Sequence, residues 1–268
     1  MKPAHKVGLS VLLLLSLSCM LTGWIAPYPY ARQFRELPNS APTAAHLLGT
    51  DELGRDLFSR VAYGARVSLL LAPTAALLAT IIATVLGCSS GLLGGWWERF
   101  VLAVTDVSLA IPWFFVLITV RAQLPLSLPP LTSAFVTFLL LGLLGWPVSV
   151  RVIATTVRGM RNSDFLLLAR AAGCRPLRLL FRHIIPNLQP ILTAQFLVSV
   201  AVFVLAEANL SILGLGVLEP MPSLGNLLKG LQDFQSVSAN PWRLAPLVVL
   251  VAVLLCLQLV LPTEEDLQ

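Results

Sequence analysis

The residue types that usually carry catalysis are scarce and scattered in this sequence. Its three histidines, His5, His46 and His183, are spread over 268 residues, a distribution that does not favour a metal centre. No Ser-His-Asp grouping with a plausible shared site is evident. The motif G-x-x-x-x-G-K-[ST] is missing, so hydrolysis of a nucleotide by that phosphate-binding loop is not expected. We therefore predict that the chain itself has no enzymatic activity, cofactor or metal site.

Two groups of charged residues remain as candidates for function. Glu207 is the one carboxylate well inside a long apolar stretch, where it could line a pathway or form a structural pair, for example with an arginine. A proton relay through Glu207 is a further alternative. Asp51 with Arg55, and Asp56 with Arg60, are acid–base pairs four residues apart, a spacing that suits a short surface helix. They could contact a partner or simply form the solvated entry to a helix.

A basic segment, Leu166 to Asn187, reads LLLARAAGCRPLRLLFRHIIPN and holds four arginines and a histidine. Residue types that cap helices precede it at 162–164, and 165–172 is a run of good helix formers. Gly173 occupies the place of a glycine that ends a helix, and Pro176 suits the first turn of another. The sequence thus predicts two short helices around a glycine turn.

The second of these helices is predicted to be amphipathic and short. Its apolar side is expected to hold Leu177, Leu180, Phe181 and Ile184, and its basic side Arg175, Arg178 and Arg182. Pro186 and Pro190 are expected to end it before the next apolar stretch.

Three interpretations of the basic segment compete. Its arginines could face anionic membrane lipid. A helix-turn-helix that binds DNA is improbable, because the segment is short and lies between two apolar stretches, so no nucleic-acid partner is expected. The third interpretation is docking into a groove of a soluble partner. The residues expected to be exposed for that contact are Leu166, Leu167, Leu168, Ala169, Ala171 and Ala172.

The composition places these residues in a membrane protein. Charged residues make up 12% of the chain and hydrophobic residues 57%, whereas a soluble domain carries about 25% charged residues. A membrane-spanning helix needs about 20 apolar residues, and six stretches meet that length. These predicted spans are 7–26, 67–95, 100–120, 131–150, 188–215 and 244–261. Asp106 interrupts the third of them.

The distribution of basic residues predicts the orientation. Seven arginines lie between Arg151 and Arg182, and such clusters stay on the cytoplasmic side. An even number of spans then places both termini in the cytoplasm. The first span is expected to be an uncleaved signal anchor, with a cleaved signal peptide as the alternative. The predicted divisions are 1–26 (tail and first span), 27–66 (extracytoplasmic segment), 67–262 (five-helix core) and 263–268 (cytoplasmic tail).

Four glycines, Gly87, Gly91, Gly94 and Gly95, lie at the inner end of the second predicted span. Small residues at such spacing let two helices approach closely in lipid. We therefore expect them to serve helix packing, not to bind a phosphate.

Three separated motifs resemble the peptide and nickel branch of the permeases of bacterial ABC importers. Gly173, followed by Ile184 or Ile185 and Pro186, resembles the family's EAA loop, roughly E-A-A, three residues, G, about nine residues, I-x-L-P. The stretches 46–71 (HLLGTDELGRDLFSRVAYGARVSLLL) and 205–228 (LAEANLSILGLGVLEPMPSLGNLL) are similar to that branch, as is DVSLAIP from Asp106. The family's Glu-Ala-Ala reads Leu167-Leu168-Ala169 here, so its acidic first position is lost.

The resemblance implies an all-α membrane protein of about six transmembrane helices with a cytoplasmic EAA-type coupling loop at 151–187. It implies that 165–172 forms a coupling helix that rests in a groove of an ATPase subunit. The residues assigned to that coupling are Leu166, Leu167, Leu168, Ala169, Arg170, Ala171, Ala172, Gly173 and Pro186. Asp51, Arg55, Asp56 and Glu207 are secondary candidates for contact with a partner or with the pathway.

The resemblance also implies an assembly in the bacterial inner membrane. Its members would be this chain, a second similar permease, two cytoplasmic ATPase subunits and an extracytoplasmic substrate-binding protein. The substrate would be a peptide or nickel, and the sequence does not decide between them. A secondary transporter and a membrane scaffold or channel subunit without an ATPase are the alternatives of other classes.

Overall fold

Helices, with two isolated β-bridges, form the regular structure in residues 20–125 and 128–261, the part that this computed structural model describes. The α-helices are α1 Thr22–Ile25, α2 Leu57–Leu93, α3 Gly95–Ala110, α4 Trp113–Ala122, α5 Pro130–Leu144, α6 Pro147–Met160, α7 Asp164–Ala171, α8 Pro176–Leu179, α9 Ile185–Ile212, α10 Leu224–Leu228, α11 Phe234–Ala239 and α12 Ala245–Val260. A π-helical turn, Leu180–Ile184, joins α8 to α9, and short 3₁₀ turns cover Lys229–Leu231 and Pro241–Leu244.

Four helical stretches are long and apolar enough to cross a membrane. They are Leu57–Leu93, Pro130–Met160, Pro176–Ile212 and Pro241–Val260. The pair α3 and α4 makes a fifth crossing if the two helices count as one span bent by 72°. The prediction of an all-α membrane protein is confirmed, with four or five spans in the described residues. The predicted first span at 7–26 falls mostly outside them, and the predicted tail at 263–268 lies wholly outside them.

Helix α2 begins ten residues before the span that hydropathy predicts at 67–95, and it runs for 37 residues. Its start is set by a cap: the carboxylate of Asp56 accepts a hydrogen bond from the backbone N–H of Ser59 at 2.8 Å. Arg60, in the first turn, is only 1% exposed. A charged residue can lie inside a helix of this kind when it is paired, so the hydropathy pattern alone placed the helix start too late.

The predicted span 100–120 is broken in its middle. Pro112 has no backbone N–H, and Ile111 before it is extended, with φ −86° and ψ 126°. A proline disfavours the α conformation of the residue that precedes it, so α3 ends at Ala110 and α4 begins anew at Trp113.

The predicted span 131–150 is interrupted at Gly145 and Trp146 and then continues as α6 to Met160. A β-carbon built on Gly145 would lie 2.3 Å from Cζ of Phe203, so only glycine lets that ring come so close. The predicted loop at 151–187 therefore begins with a helix that is anchored in the core: Val150, Ile153 and Val157 are fully buried. Charge density alone had suggested a loop there.

Pro186 and Pro190 do not end the helix of the basic segment, contrary to the prediction. Instead, Leu180–Ile184 form a π-helical turn, in which the N–H of Ile185 bonds to the carbonyl of Leu180. Pro186 follows this wider turn in the first turn of α9, where a missing N–H costs little. The helical stretch from Pro176 therefore continues to Ile212 without a stop.

Helix α2 packs tightly against α6 through two of the predicted packing glycines. A β-carbon on Gly87 would lie 2.8 Å from Cβ of Ile153, and one on Gly91 would lie 2.7 Å from Cβ of Val157. Both distances are too short for real atoms, so the helices touch backbone to side chain at these points. The packing role expected of Gly87 and Gly91 is confirmed.

We predict that Gly91→Ala lowers the thermal stability of the purified protein, whereas Gly159→Ala does not. Overpacking a close helix contact costs about 1–3 kcal/mol, and a β-carbon on Gly91 has no room. Gly159 is helical as well, but a β-carbon there meets no heavy atom within 4 Å. The measurement is the melting temperature in detergent, and equal melting temperatures for the two variants would contradict the packing role.

Candidate functional site

The basic segment forms two short helices around a glycine, as the sequence predicts. Gly173 has φ +75°, the left-handed conformation that glycine adopts most easily. Its N–H bonds to the carbonyl of Arg170 at 2.9 Å, and the N–H of Cys174 bonds to the carbonyl of Ala169 at 3.0 Å. This pair of bonds is the Schellman arrangement, which ends α7 at a fixed angle.

Leu166 is buried, and the prediction that it belongs to an exposed leucine surface is wrong. Its side chain is 0% exposed and packs in the cluster that contains Ile153, Val157 and Leu188. Leu168 is 69% exposed on the same helix. Residues two apart on a helix point about 200° away from each other, so one of two such leucines must face the core when the other faces out.

The predicted apolar side of the second helix is also divided. Leu177 and Phe181 are 72% and 67% exposed, whereas Ile184 is fully buried. The π-helical turn from Leu180 changes the angular spacing along this stretch, so a pattern of 3.6 residues does not describe it. The large apolar side chains exposed on α7 and on residues 177–181 are Phe165, Leu167, Leu168, Leu177 and Phe181, which we call the exposed apolar set.

The other coupling candidates lie around α7. Arg170, Ala171 and Ala172 are exposed, and Ala169 is half-buried against the core cluster. Pro186 is exposed at the start of α9. The segment thus combines an inward anchor at Leu166 with an outward surface of leucines, alanines and arginines.

Asp51 and Arg55 are paired as predicted, but in a turn and not in a helix. Oδ2 of Asp51 lies 2.7 Å from Nε of Arg55, while its Oδ1 accepts bonds from the backbone N–H groups of Leu53 and Arg55 at 2.9 and 2.8 Å. Each oxygen of Asp51 is therefore used to hold the turn that leads into α2.

A distant carboxylate, Glu219, completes this group. Its Oε2 lies 2.7 Å from Nη1 of Arg55, and its Oε1 lies 2.8 Å from Nη2 of Arg60. Arg60 also approaches Oδ2 of Asp51 at 3.6 Å. We call Asp51, Arg55, Arg60 and Glu219 the charged cluster. Glu219 is separated from Arg55 by 164 residues, so no local spacing in the sequence could reveal it.

Asp56 does not pair with Arg60, contrary to the prediction from their spacing. It is 2% exposed and accepts hydrogen bonds from the backbone N–H and the hydroxyl of Ser59, at 2.8 and 2.7 Å. Nδ1 of His46 lies 2.9 Å from its other oxygen. Asp56 is therefore a buried cap of α2, and its geometry does not make it available to a partner.

A cavity of about 460 Å³ opens beside the charged cluster. Its walls carry both signs of charge, including Glu52 and Arg243, whose carboxylate and guanidinium are 2.5 Å apart. Lys229 and Asp233 line it as well. Such a surface suits a polar partner and disfavours an apolar one.

Glu207 is completely buried and is held by two serines. Its Oε1 accepts hydrogen bonds from the hydroxyl groups of Ser211 at 2.6 Å and Ser223 at 2.7 Å. Ser223 also caps α10, and a β-carbon on Gly225 would lie 2.6 Å from Oε2. Among the described residues, the acid thus fastens the segment after α9 to that helix through serines, and no arginine pairs with it.

In the part of the chain that the structure describes, no group of three or more His, Cys, Asp or Glu side chains could hold a metal ion.

Comparisons with known proteins decide the family. Residues 83–263 match the family described as binding-protein-dependent transport system inner membrane component. The chain belongs to this family. It is 33% identical to the oligopeptide transport system permease protein OppC of Mycobacterium tuberculosis H37Rv over 257 residues, which are 96% of this chain and 86% of that protein.

Two further relatives agree. The oligopeptide permease protein OppC of Bacillus subtilis is 30% identical over 238 residues, 89% of this chain and 75% of that protein. A putative peptide permease of Brucella suis is 34% identical over 205 residues, 76% of this chain and 66% of that protein. The chain is therefore a multi-pass membrane component of a transport system. The family match includes the basic segment, Glu207 and Glu219, and it begins after Asp51, Arg55 and Arg60.

We predict that Glu219→Gln destabilises the protein more than Glu36→Gln. Glu219 bonds to two guanidinium groups, one of them on the buried Arg60, whereas Glu36 is exposed and lies outside the charged cluster. We expect a loss of about 1 kcal/mol, since the carboxylate of Glu219 is half exposed to solvent. Thermal unfolding in detergent measures this loss, and a Glu219 variant as stable as the Glu36 variant would refute the role of the cluster.

Proposed function

We propose that this chain forms one half of the peptide pathway of an ABC importer and couples it to ATPase subunits through the basic segment. The observation that carries the proposal is the similarity to OppC along 96% of the chain, since those relatives are named as oligopeptide permeases. The exposed side chains of Phe165, Leu167 and Leu168 support the coupling half of the proposal, because α7 lies between two of the candidate spans.

The coupling contact is made by α7. Leu167 and Leu168 are 48% and 69% exposed, and burying such side chains in a groove of an ATPase subunit would stabilise the complex through apolar area. Leu167 and Leu168 stand where the family motif has Glu-Ala. The contact in this chain is accordingly apolar and does not depend on a salt bridge at position 167.

A movement of α7 would be transmitted to the membrane-spanning helices, because the side chain of Leu166 is packed in the core between them. This side chain packs in one cluster with Ile153 of α6 and Leu188 of α9, and both of these residues belong to helical stretches that are long and apolar enough to cross a membrane. A displacement imposed on α7 by closure of the ATPase dimer would therefore shift α6 and α9 as well. Dense packing transmits such a shift, because the side chains have no void to absorb it.

The proposed orientation follows from the same segment. With α7 and α8 in the cytoplasm, the charged cluster at the opposite end of α2 faces outward, toward a substrate-binding protein. Six spans, with both termini in the cytoplasm of a bacterial inner membrane, complete the proposed topology. The proposed partners are a second permease, two ATPase subunits, the binding protein and membrane lipid.

We predict that Leu168→Asp reduces co-purification of the ATPase subunit and substrate-stimulated ATP hydrolysis about tenfold or more, because a charge enters an apolar contact. Membrane insertion should be unchanged. The matched control is Leu47→Asp, which adds the same charge at a leucine that is 57% exposed in the segment before α2. ATP hydrolysis that is unaffected in the reconstituted Leu168→Asp complex would reject the coupling role of α7.

We predict that Gly173→Val impairs coupled uptake several-fold, whereas Gly173→Asn retains most of it. A left-handed conformation costs about 1–2 kcal/mol for most residues, and asparagine tolerates it best. A β-carbon at Gly173 meets no heavy atom within 4 Å, so the two variants differ in backbone preference and not in clashes. Peptide uptake by whole cells is the measurement, and equal uptake by both variants would show that the angle between α7 and α8 does not matter.

A further inference from the structure

A second cavity, of about 180 Å³, lies where two helices are interrupted. One wall contains Pro112, at the break between α3 and α4, and another contains Gly145, at the break between α5 and α6. The third wall is the middle of α9, with Gln195 and Val202. Three separate stretches that are apolar enough to cross a membrane therefore meet at this cavity.

An interruption of a helix within a membrane is unfavourable unless its free peptide groups find hydrogen-bond partners. Peptide groups without a helical partner are costly in hydrocarbon, so breaks persist only inside protein or along a cavity that can offer partners. Breaks of this kind in transporters are often found where substrate passes. Here the breaks at Pro112 and at Gly145 open onto the same cavity. Two breaks that share one cavity point to a common role for them.

The lining combines apolar walls with a few uncharged polar groups. No Asp, Glu, Lys or Arg lines the cavity among the described residues. The hydroxyl of Ser149 donates a hydrogen bond to Oε1 of Gln195 at 2.9 Å, which orients the carboxamide. The carboxamide nitrogen of Gln195 has no hydrogen-bond partner in the described part of the chain, so its two N–H groups remain as donors.

We propose that this cavity receives one uncharged side chain of the transported peptide, while Gln195 donates a hydrogen bond to a peptide carbonyl beside it. The inference rests on the proposed function, and it names the part of the pathway that this chain contributes. An apolar cavity of about 150 Å³ accommodates a benzene ring, so the space suits an aromatic or a branched aliphatic side chain. An acyl chain of lipid would leave the donors of Gln195 without an acceptor.

The test changes the size of the cavity from its rim. Val202 lines it and is 39% exposed, so Val202→Phe fills space without disturbing the core. The complete transporter is expressed with its binding protein, and uptake of Ala-Phe-Ala is compared with uptake of Ala-Ala-Ala. We expect Val202→Phe to lower the ratio of the Ala-Phe-Ala rate to the Ala-Ala-Ala rate about tenfold, because its ring would occupy the space that the phenyl ring of the substrate needs. The same binding protein serves every variant, so its own preference cancels when the ratio of a variant is divided by the ratio of the unaltered transporter.

Two further variants keep the result interpretable. Val202→Ala enlarges the cavity and should raise the ratio, which a variant that merely folds poorly would not do. Val251→Phe makes the same substitution at a valine that is 45% exposed on α12 and lines no part of the cavity, and it should leave the ratio unchanged.

The outcomes separate this inference from the function on which it rests. If the unaltered transporter takes up neither tripeptide, the proposed peptide transport fails. If the unaltered transporter takes up both tripeptides, the ratio of their uptake rates decides the matter. A ratio that stays unchanged in Val202→Phe and in Val202→Ala refutes the side-chain pocket, even if Val202→Phe lowers both rates equally. The space would then be assigned to the partner permease or to lipid.

Discussion

Close packing of α2 against α6 is the constraint on which the rest of the structure depends. Gly87 and Gly91 remove the side chains that would hold the two helices apart, and Ile153 and Val157 fill the space. Since α2 has 37 residues, it reaches from the charged cluster to the end of the molecule where α6 leads into α7. The two candidate contact surfaces therefore lie near opposite ends of one helix, which has about 1.5 Å of length for every residue.

The middle of the molecule differs because two of its helical stretches are interrupted there. Apolar helices are stable in lipid because each satisfies its own backbone, and an interruption removes that advantage locally. Pro112 and Gly145 cause two such interruptions, and both border the cavity against α9. In the proposed function a peptide passes through this depth, where its peptide groups would need hydrogen-bond partners. The structure thus combines tightly packed helices at α2 and α6 with an interrupted centre that borders a largely apolar cavity.

Much of the local structure could be predicted from short stretches of sequence. The turn at Gly173 follows from the left-handed conformation that a helix end favours, and the pairing of Asp51 with Arg55 follows from four-residue spacing. The prediction for Leu166 was wrong because its surroundings are formed by residues that are distant in the sequence. Leu166 looked like its neighbours Leu167 and Leu168, but helical geometry turns it toward Ile153 and Leu188.

The sequence by itself determined the membrane class, the family resemblance and the positions of the short helices, because hydropathy, glycine and proline act over a few residues. Only the tertiary structure decided that Glu219 joins Arg55 and Arg60, that two serines hold Glu207, and that two helix breaks share one cavity. These are contacts between residues far apart in the chain. Their geometry is set by the packing of whole helices, which no local pattern encodes.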